Sequence, residues 1–463
     1  MSQKLKLRFL GGVGTVTGSK LILEYNQRKY LFDCGLFQGA RELRIRNWEA
    51  FPALADIKGV ILSHAHIDHS GYLPKLVKDG YAGPIYCTPS TADLGRLLLM
   101  DAAHLQEEDA RFANVTKYSH HTPALPLFDR NDAEKASGLF RTVPFHQWQE
   151  ISPGISFRFC HAGHILGAAV TQISFQANDQ SKILTLTGDL GNGRSAIIED
   201  PEKITSTDYL VMESTYGDRR QSRESALDQL EKVIARVLGR GGTLIIPAFA
   251  VGRTQELLYL INKLEMDKKI PAYPVYLDSP MANSATDIYL KYTSELKQEL
   301  RGEHLISRLS SAKFKEVKST DESMLLCMST EPKIVISAAG MLTGGRVMHH
   351  LKTKLPDAKS AVLFVGYQAT GTKGLLLKNG LRDIRIHHQK VTVEAEIFTI
   401  DSLSAHADCD DLGLFASGFQ KKPLKVLLNH GEPNALESLR YRLTVEHQLS
   451  VEIAKEGVEY VLD

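Results

Sequence analysis

The feature that most constrains this chain is a run of histidines and an aspartate that follows a short apolar segment at residues 60–62. The apolar segment predicts a buried strand, and residues 63–71 after it read Ser-His-Ala-His-Ile-Asp-His-Ser-Gly. In an extended segment, side chains two residues apart point to the same side, so His64 and His66 can bind one metal ion. Asp68 and His69 come where a helix is predicted to begin, so they would lie beside the first pair and could bind a second ion. The alternative is a polar loop with structural histidines, but four potential ligands in six positions favour a metal site.

The ligand types indicate which metal the site would hold. Imidazole and carboxylate ligands without sulfur suit Zn²⁺, with Mn²⁺ or iron as substitutes. His164 lies in Gly-His-Ile-Leu-Gly, whose small residues let a backbone loop approach a metal. Asp189 follows a predicted buried strand and is flanked by glycines, so its two oxygens could bridge two ions. We therefore expect His64, His66 and His164 on one metal, Asp68 and His69 on the other, and Asp189 between them.

Three further residues at predicted strand ends bear on this site. Asp33 is expected to hold a metal-bound histidine from behind, because a ligating imidazole needs a partner on its other nitrogen. The alternative for Asp33 is an ordinary turn residue. His406 and His430 each follow a predicted strand, and either could complete the second metal site.

Length, charge and cysteine content limit the function classes. The chain has 463 residues, enough for two domains with sizeable cores. Its formal net charge is +1, so a nucleic acid would have to be held by a local patch. The five cysteines are scattered without a Cys-x-x-Cys pair, which predicts reduced thiols and a cytoplasmic protein. Neither a signal peptide nor an apolar run of membrane-spanning length is recognised, so we expect no membrane partner.

The middle of the chain has a different pattern. From residue 218 to residue 391, strands, Gly-containing loops and helices alternate, which predicts a parallel sheet with its loops along one edge. Helix N-termini with small residues and a cation are suited to anions. Each loop alone could be an ordinary packing turn, but the set favours a groove for a phosphate backbone. The predicted phosphate-binding residues are Arg253, Ser279, Arg346 and Lys373.

The chain resembles the β-CASP nucleases of the metallo-β-lactamase superfamily over nearly its whole length. The resemblance rests on Asp33, the cluster from His64 to His69, His164, Asp189 and three β-CASP motifs at Glu213, His406 and His430. A histidine at the third motif is typical of the RNA-processing branch, which includes nucleases of pre-mRNA 3′-end cleavage and stand-alone prokaryotic relatives. The resemblance therefore indicates RNA as the partner.

The resemblance also implies an α/β architecture. It is a metallo-β-lactamase αββα sandwich with an inserted β-CASP α/β domain, and the active site in the cleft between the two domains. The expected boundaries are residues 1–214 and 393–463 for the two parts of the sandwich and residues 215–392 for the insertion.

The expected activity is that of a two-metal ribonuclease acting as an endonuclease, with 5′ exonuclease action as an added mode. On this hypothesis two Zn²⁺ ions activate water and neutralise phosphate charge. His430 completes the second metal site, Asp68 is catalytic as well as a ligand, and His406, held by Glu213, protonates the leaving oxygen.

Two alternatives are weighed against the ribonuclease. A hydrolase of a small thioester or lactam would not need the inserted domain with its cationic loops. An inactive RNA-binding scaffold would be expected to lack some ligands, whereas every ligand position is filled here. A homodimer and protein partners stay open from the sequence.

Overall fold

The computed structural model describes residues 4–52, 54–117, 121–301, 309, 311–342, 344–366, 368 and 371–463. The chain divides into two compact units. The first comprises residues up to Gly193, Asp200–Arg220 and His406–Asp463. The second comprises Arg194–Glu199 and Gln221–Ala405. Among the described helices, none combines the length and the apolar character that a membrane crossing requires.

The first unit contains two seven-stranded sheets. The strands of the first sheet, in spatial order, are Glu459–Leu462, Leu5–Gly11, Lys20–Tyr25, Arg28–Phe32, Ile57–Ile61, Ile85–Cys87 and Phe140–Thr142. The strands of the second sheet, in spatial order, are Val451–Ile453, Lys425–Leu428, Tyr209–Met212, Gln180–Leu186, Ala169–Ala177, Ile155–His161 and Gln149–Ser152. Each sheet has an antiparallel half and a parallel half. Since parallel neighbours need a crossover connection, the helices of the unit lie between the parallel strands in sequence.

The inner faces of the two sheets form one apolar core. Leu7 and Leu23 of the first sheet pack in the same buried cluster as Phe157, Ile173 and Leu184 of the second. Along Leu5–Gly11 buried residues alternate with more exposed ones, as expected for a strand that buries one face more than the other. The two sheets therefore form a sandwich.

Helices cover the outer faces of this sandwich. A second apolar cluster joins Leu31 and Val60 of the first sheet to Leu76, Leu99 and Phe128 from the helical side. The helices Cys409–Ser417 and Pro433–Val445 pack on each other, and the second of them packs on the strand Val451–Ile453. The remaining helices are Arg41–Ile45, Ile67–Ser70, Leu73–Lys78, Pro89–Thr116 and Arg130–Gly138. The predicted αββα architecture is thereby confirmed.

The ends of these helices follow from local sequence. The long helix Pro89–Thr116 begins after Thr88, whose hydroxyl accepts a hydrogen bond from the Thr91 N–H. Pro89 at the first helical position has no N–H of its own that would need a partner. Asp129 and Asp132 form a reciprocal capping box at the start of Arg130–Gly138.

The second unit is built on a six-stranded sheet in which every pair is parallel. Its strands, in spatial order, are Phe314–Glu316, Val275–Leu277, Lys333–Ser337, Thr243–Pro247, Ala361–Phe364 and Glu396–Thr399. Its helices are Ala226–Gly239, Arg253–Met266, Pro280–Lys291, Thr320–Met328, Val347–Lys354 and Lys373–Lys378, and a hairpin joins Asp383–Ile386 to Gln389–Thr392. Leu244 and Ile246 pack on one face of the sheet and Ile245 on the other, so both faces are buried. This is the parallel α/β pattern predicted for the middle of the chain.

The strand Glu396–Thr399 belongs to a different sheet from the one that the sequence pattern indicates. The sequence pattern places the segment from residue 393 onwards in the final part of the sandwich, whereas Glu396–Thr399 pairs with Ala361–Phe364 in the parallel sheet. The second compact unit accordingly extends to Ala405. A short edge strand carries no local signal for the sheet it joins, because that choice depends on a partner distant in sequence. The family domain boundaries stay a prediction.

A buried charged network fastens the strand-end loops of the second unit. The Asp278 carboxylate accepts hydrogen bonds from Arg346 Nη1 at 2.8 Å, His350 Nε2 at 2.7 Å and Ser323 Oγ at 2.6 Å. Burial alone would raise the pKa of Asp278, but these three partners outweigh it and lower the pKa. The carboxylate therefore joins three segments that follow or flank different strands of the sheet.

We expect Asp278→Ala to destabilise the second unit strongly. The substitution would leave the Arg346 and His350 side chains without their buried partner, which typically costs about 3–5 kcal/mol. Urea denaturation followed by circular dichroism would measure the loss, and hydrogen exchange at Lys333–Ser337 would localise it. Asp321→Ala, on an exposed helix start, is the matched control and should change stability little. Equal stability of the two variants would show that the network is dispensable.

Candidate metal centre

The histidine-rich segment leaves the first sheet as a loop and then turns into a short helix. The strand ends at Ile61, and His64 beyond it is fully buried. The carbonyl oxygen of His66 accepts hydrogen bonds from the amides of His69 and Ser70 at 3.0 and 2.8 Å, which starts the helical turn Ile67–Ser70. The change from extended to helical backbone places His64 and His66 on one side of the centre and Asp68 and His69 on the other.

The first donor cluster contains His64, His66, His164 and Asp189. One side-chain donor atom from each of these residues lies within 4.8 Å of all the others. Nδ1 of His66 is 3.2 Å from Nε2 of His164. The structure thus brings together the three histidines that the sequence assigned to one metal.

The second donor cluster contains Asp68, His69 and His430. Oδ2 of Asp68 lies 3.8 Å from His69 Nε2 and 3.7 Å from His430 Nε2. The sequence alone left His406 and His430 open for this place. The geometry puts His430 in this cluster, whereas His406 belongs to a group with Glu213 and Asp189.

Asp189 lies between the two clusters with one oxygen facing each. Its Oδ1 is 3.1 Å from His69 Nε2 and 3.3 Å from His430 Nδ1. Its Oδ2 is 3.6 Å from both His64 Nε2 and His164 Nε2. Gly188 makes this approach feasible, since a Cβ there would lie 2.7 Å from Cβ of Ser63. Asp189 is therefore placed as a bridge between two ligand sets.

Buried polar atoms of this centre fit divalent cations. Among the described residues, His64 Nε2, His69 Nε2, His164 Nδ1, Asp189 Oδ1 and His430 Nε2 are buried and make no hydrogen bond of acceptable geometry. An unsatisfied buried polar atom costs about 1–3 kcal/mol, so these atoms disfavour folding unless a cation satisfies them. Nitrogen and oxygen donors converging in this way are the ligand set of a divalent transition metal.

Electrostatics keep two of the imidazoles in the form that binds metal. Burial lowers the pKa of His64 and His164 well below the ordinary value, and neighbouring imidazoles lower it further. These rings are therefore neutral at neutral pH, as ligation requires. For His69 burial acts in the same direction, but Asp189 and Asp33 outweigh it and raise its pKa well above the ordinary value. Both carboxylates thus stabilise positive charge at His69.

Asp33 supports His69 from behind. It is fully buried, and its Oδ2 accepts a hydrogen bond from His69 Nδ1 at 2.7 Å. The same carboxylate accepts hydrogen bonds from the backbone and side chain of Ser63, at 2.8 and 3.0 Å. With Nδ1 occupied, His69 presents Nε2 towards Asp68 and Asp189. This is the position that the sequence predicted for Asp33.

Glu213 links His406 to the Asp189 loop. Its carboxylate lies 3.2 Å from Nδ1 of His406 and accepts a hydrogen bond from the Leu190 amide. Burial would lower the pKa of His406, but Glu213 outweighs it and raises the pKa to about 9. The imidazole ring of His406 lies 4.5 Å from that of His164, between centroids. Glu213 thus favours the protonated form of His406, which lies beside the proposed metal ligands.

Several supporting residues were not identified from the sequence. Ser63 hydrogen-bonds Asp33 and lies 3.0 Å from His64 Nδ1, so it positions both. The carbonyl of Gly12 accepts a hydrogen bond from the His430 amide at 2.5 Å, which gives the Gly-rich turn a role in the centre. A Cβ at Gly35 would lie 1.6 Å from the carbonyl oxygen of Asp68, so only glycine fits there. Two sequence signals could have indicated these supporting residues. One is the serine that directly precedes His64, and the other is the presence of glycines at positions 12 and 35.

The predicted phosphate-binding residues lie at helix starts that follow parallel strands of the second unit. Ser279 caps the helix Pro280–Lys291, and Lys373 begins the helix Lys373–Lys378. Arg253 is buried and paired with Glu256, and Arg346 is paired with Asp278. Sequence patterns could not anticipate these ion pairs, which engage two of the three cations internally. Thr343, Tyr367, Ala369 and Thr370 of the predicted loops lie outside the described residues.

Models of three domain families match the sequence. The Metallo-beta-lactamase superfamily domain matches residues 22–187. The Beta-Casp domain matches residues 254–377, and the Zn-dependent metallo-hydrolase RNA specificity domain matches residues 390–454.

Curated relatives cover nearly the whole chain. Ribonuclease TTHA0252 of Thermus thermophilus is 34% identical over 451 residues, which are 96% of this chain and 97% of the relative. Transcription termination factor FttA of Methanocaldococcus jannaschii is 31% identical over 443 residues, covering 92% of this chain and 67% of that protein. A crystal structure of a protein of unknown function from Enterococcus faecalis matches with a TM-score of 0.53 at 17% sequence identity. The match covers 99% of this chain and 100% of that chain, so the two proteins share the fold.

The αββα sandwich and the donor set at its strand ends define a protein of the metallo-β-lactamase superfamily, a class that binds divalent metal. Within that class, the chain belongs to the β-CASP family. The resemblance drawn from the sequence motifs is confirmed.

The second donor cluster predicts how many metal ions each chain binds. His430→Ala removes one of its three residues, so tightly bound metal should fall from about two ions per chain towards one. Metal analysis of purified protein after exhaustive dialysis would measure this, with His121→Ala on the surface as control. Two ions retained in the His430 variant would remove His430 from the ligand set.

Proposed function

We propose that this protein is a two-metal ribonuclease that hydrolyses RNA phosphodiester bonds. The observation that carries the proposal is the placement of Asp189 between two histidine-containing donor clusters, 4.0 Å from His406. Such an arrangement suits in-line displacement at phosphorus, which needs charge neutralisation on both sides of the reacting group.

Two kinds of support favour RNA as the substrate. Relatives that match nearly all of this chain are named a ribonuclease and transcription termination factors. The model matching residues 390–454 is described as an RNA specificity domain of zinc-dependent metallo-hydrolases. That description, together with donors that are all nitrogen or oxygen, also favours zinc, with Mn²⁺ or iron as substitutes.

The proposed roles follow from the geometry of the chain's own residues. His64, His66 and His164 would hold one ion, Asp68, His69 and His430 the other, and Asp189 both. When bound, the two ions would supply an activated water and neutralise phosphate charge. Asp33 fixes the ring of His69 through Nδ1, so that Nε2 stays directed at the centre.

His406 is proposed as the general acid. Glu213 raises the pKa of the imidazole and so favours its protonated form, and the same carboxylate lies 3.2 Å from Nδ1. We assign to Nε2, the other ring nitrogen, the donation of a proton to the leaving 3′-oxygen. His406 is partly exposed, unlike the fully buried His64, so a substrate can reach it.

The nucleophile determines the product ends. If water attacks phosphorus, the RNA 2′-hydroxyl is not consumed, and products should carry 5′-phosphate and 3′-hydroxyl ends. A single 2′-deoxy substitution at the scissile nucleotide should slow cleavage only modestly, through lost recognition. End-group analysis of labelled fragments would test both. The appearance of 2′,3′-cyclic phosphates, or complete blockage by the deoxy substitution, would exclude hydrolysis by water.

The acid role of His406 has its own signature. His406→Ala should keep both metals yet lose about 10²–10⁴-fold in rate, the contribution of a positioned acid. A substrate whose leaving oxygen is replaced by sulfur needs little protonation, so it should recover much of that loss. Single-turnover cleavage of the two substrates would measure the ratio. A variant equally slow on both would show that His406 acts otherwise.

The pairing of the cations in the second unit predicts which of them contributes most to RNA binding. Among the described residues Lys373 forms no ion pair, whereas Arg253 is neutralised by Glu256. Lys373→Ala should therefore weaken RNA binding and reduce the slope of log affinity against log salt by about 0.7 for a single strand. Lys352→Ala, which removes a cation from the far turn of the helix Val347–Lys354, is the control. Salt titrations of RNA binding in a catalytically inactive background would measure both, and identical slopes would exclude Lys373 from the RNA contact.

A further inference from the structure

A second group of metal-binding side chains lies outside the centre described above. It consists of His146, Cys160 and Glu202, and none of these residues belongs to the dinuclear centre. Of the five cysteines, all of them free and buried, only Cys160 takes part in such a group among the described residues.

The backbone builds this group around the end of one strand. Cys160 is the penultimate residue of the strand Ile155–His161. The amide of His146 donates a hydrogen bond to the carbonyl of Phe159 at 2.8 Å, and the amide of Glu202 donates one to the carbonyl of His161 at 2.9 Å. The two partner segments are thus fastened to the residues immediately before and after Cys160. The three side chains are brought together by the sheet and its neighbours rather than by chance contacts of free loops.

The donor atoms are close enough to share an ion. One atom from each side chain lies within 4.8 Å of the other two, and His146 Nδ1 is 3.6 Å from Glu202 Oε2. Donors around a tetrahedral zinc are about 3.4–3.6 Å apart, given bond lengths near 2.0–2.3 Å. Cys160 is fixed and buried, whereas the side chains of His146 and Glu202 are 55% and 37% exposed and can close the remaining distance.

We propose that His146, Cys160 and Glu202 form a peripheral binding site for a thiophilic divalent cation of the zinc class. Imidazole, thiolate and carboxylate are all ligands that zinc accepts, and three protein ligands leave a fourth position for water. Sulfur makes this site softer than the dinuclear centre, whose donors are all nitrogen or oxygen. The site does not depend on the proposed ribonuclease activity.

The thiol of Cys160 must lose its proton to bind. Burial raises the pKa of Cys160 to about 11, so the free side chain is an uncharged thiol at neutral pH. A coordinated cation displaces that proton, because coordination of a thiol to a metal deprotonates it. The carboxylate of Glu202, which also lies 3.4 Å from the backbone amide of His161, contributes the second negative charge.

An ion here would hold the strand end that leads to His164. Pro201, next to Glu202, packs against Gly163, where a Cβ would lie 2.6 Å from the proline ring. His164 follows Gly163 directly in the chain. The peripheral site would therefore brace the segment that supplies one ligand of the dinuclear centre.

Cobalt substitution tests the proposal with a signal that the dinuclear centre cannot give. The full-length protein, stripped of metal and loaded with Co²⁺, should show thiolate-to-cobalt charge-transfer absorption in the near ultraviolet. The dinuclear centre contains no sulfur donor, so this band reports only a cysteine-ligated ion. Zinc loading should likewise reach about three ions per chain, one more than a two-ion centre holds.

Three variants and one control assign the band. Cys160→Ser should abolish the band and lower the zinc content by one ion, and His146→Gln and Glu202→Gln should each weaken cobalt binding at least tenfold. The latter two replace partly exposed side chains, so they remain informative if the buried Cys160 variant fails to fold. Cys409→Ser, a buried cysteine beside Arg442, is the matched control and should keep the band.

Several outcomes would overturn the proposal. Absence of the band in the wild-type protein at saturating Co²⁺ would exclude Cys160 as a ligand. A band that survives Cys160→Ser would assign it to another cysteine. Cobalt binding that is unchanged in both His146→Gln and Glu202→Gln would exclude these two side chains as ligands.

Discussion

The contacts between the Asp189 carboxylate and two groups of imidazoles are the interaction on which the site of the first unit depends. Its oxygens face His69 and His430 on one side and His64 and His164 on the other. These residues come from loops after strands of both sheets, so the sandwich must close correctly before the donors meet. Hydrophobic burial between the sheets supplies the stability, and the strand ends supply the direction of each ligand.

Such a centre is costly to build without a cation, and the surrounding residues reflect that cost. Buried donors without partners oppose folding, while Asp33, Ser63 and Glu213 satisfy the atoms that face away from the centre. Asp33 illustrates the logic, since one carboxylate fixes His69 and also ties the preceding strand end to Ser63. A residue that does two tasks at once leaves little freedom for the ligands to move. Preorganisation of this kind is what a reacting phosphate requires.

The sequence predicted those parts of the structure that depend on local pattern. The run from His64 to His69, the strand before Asp189 and the alternation of strands and helices in the second unit all have short-range signals. The membership of Glu396–Thr399 in the parallel sheet and the pairing of Arg346 with Asp278 could not be predicted in this way. Both depend on partners many residues distant, and an arginine before a helix looks the same whether it meets a phosphate or a buried carboxylate. The meeting of His146, Cys160 and Glu202 is of the same kind, because three unremarkable residues become a group only through the sheet.

The two donor sets of the first unit should rank metals differently. A centre of imidazoles and carboxylates accepts manganese or iron as well as zinc, whereas thiolate ligation favours softer, more tightly bound ions. If cells supply mostly manganese, the dinuclear centre can bind its ions while the Cys160 group binds none. If zinc is plentiful, both sites bind metal. Pro201 beside Glu202 packs on Gly163, which precedes His164, so an ion bound by the Cys160 group would act on the segment that presents His164. The identity of the metal would then influence the centre twice, once as its occupant and once through the strand end that presents His164.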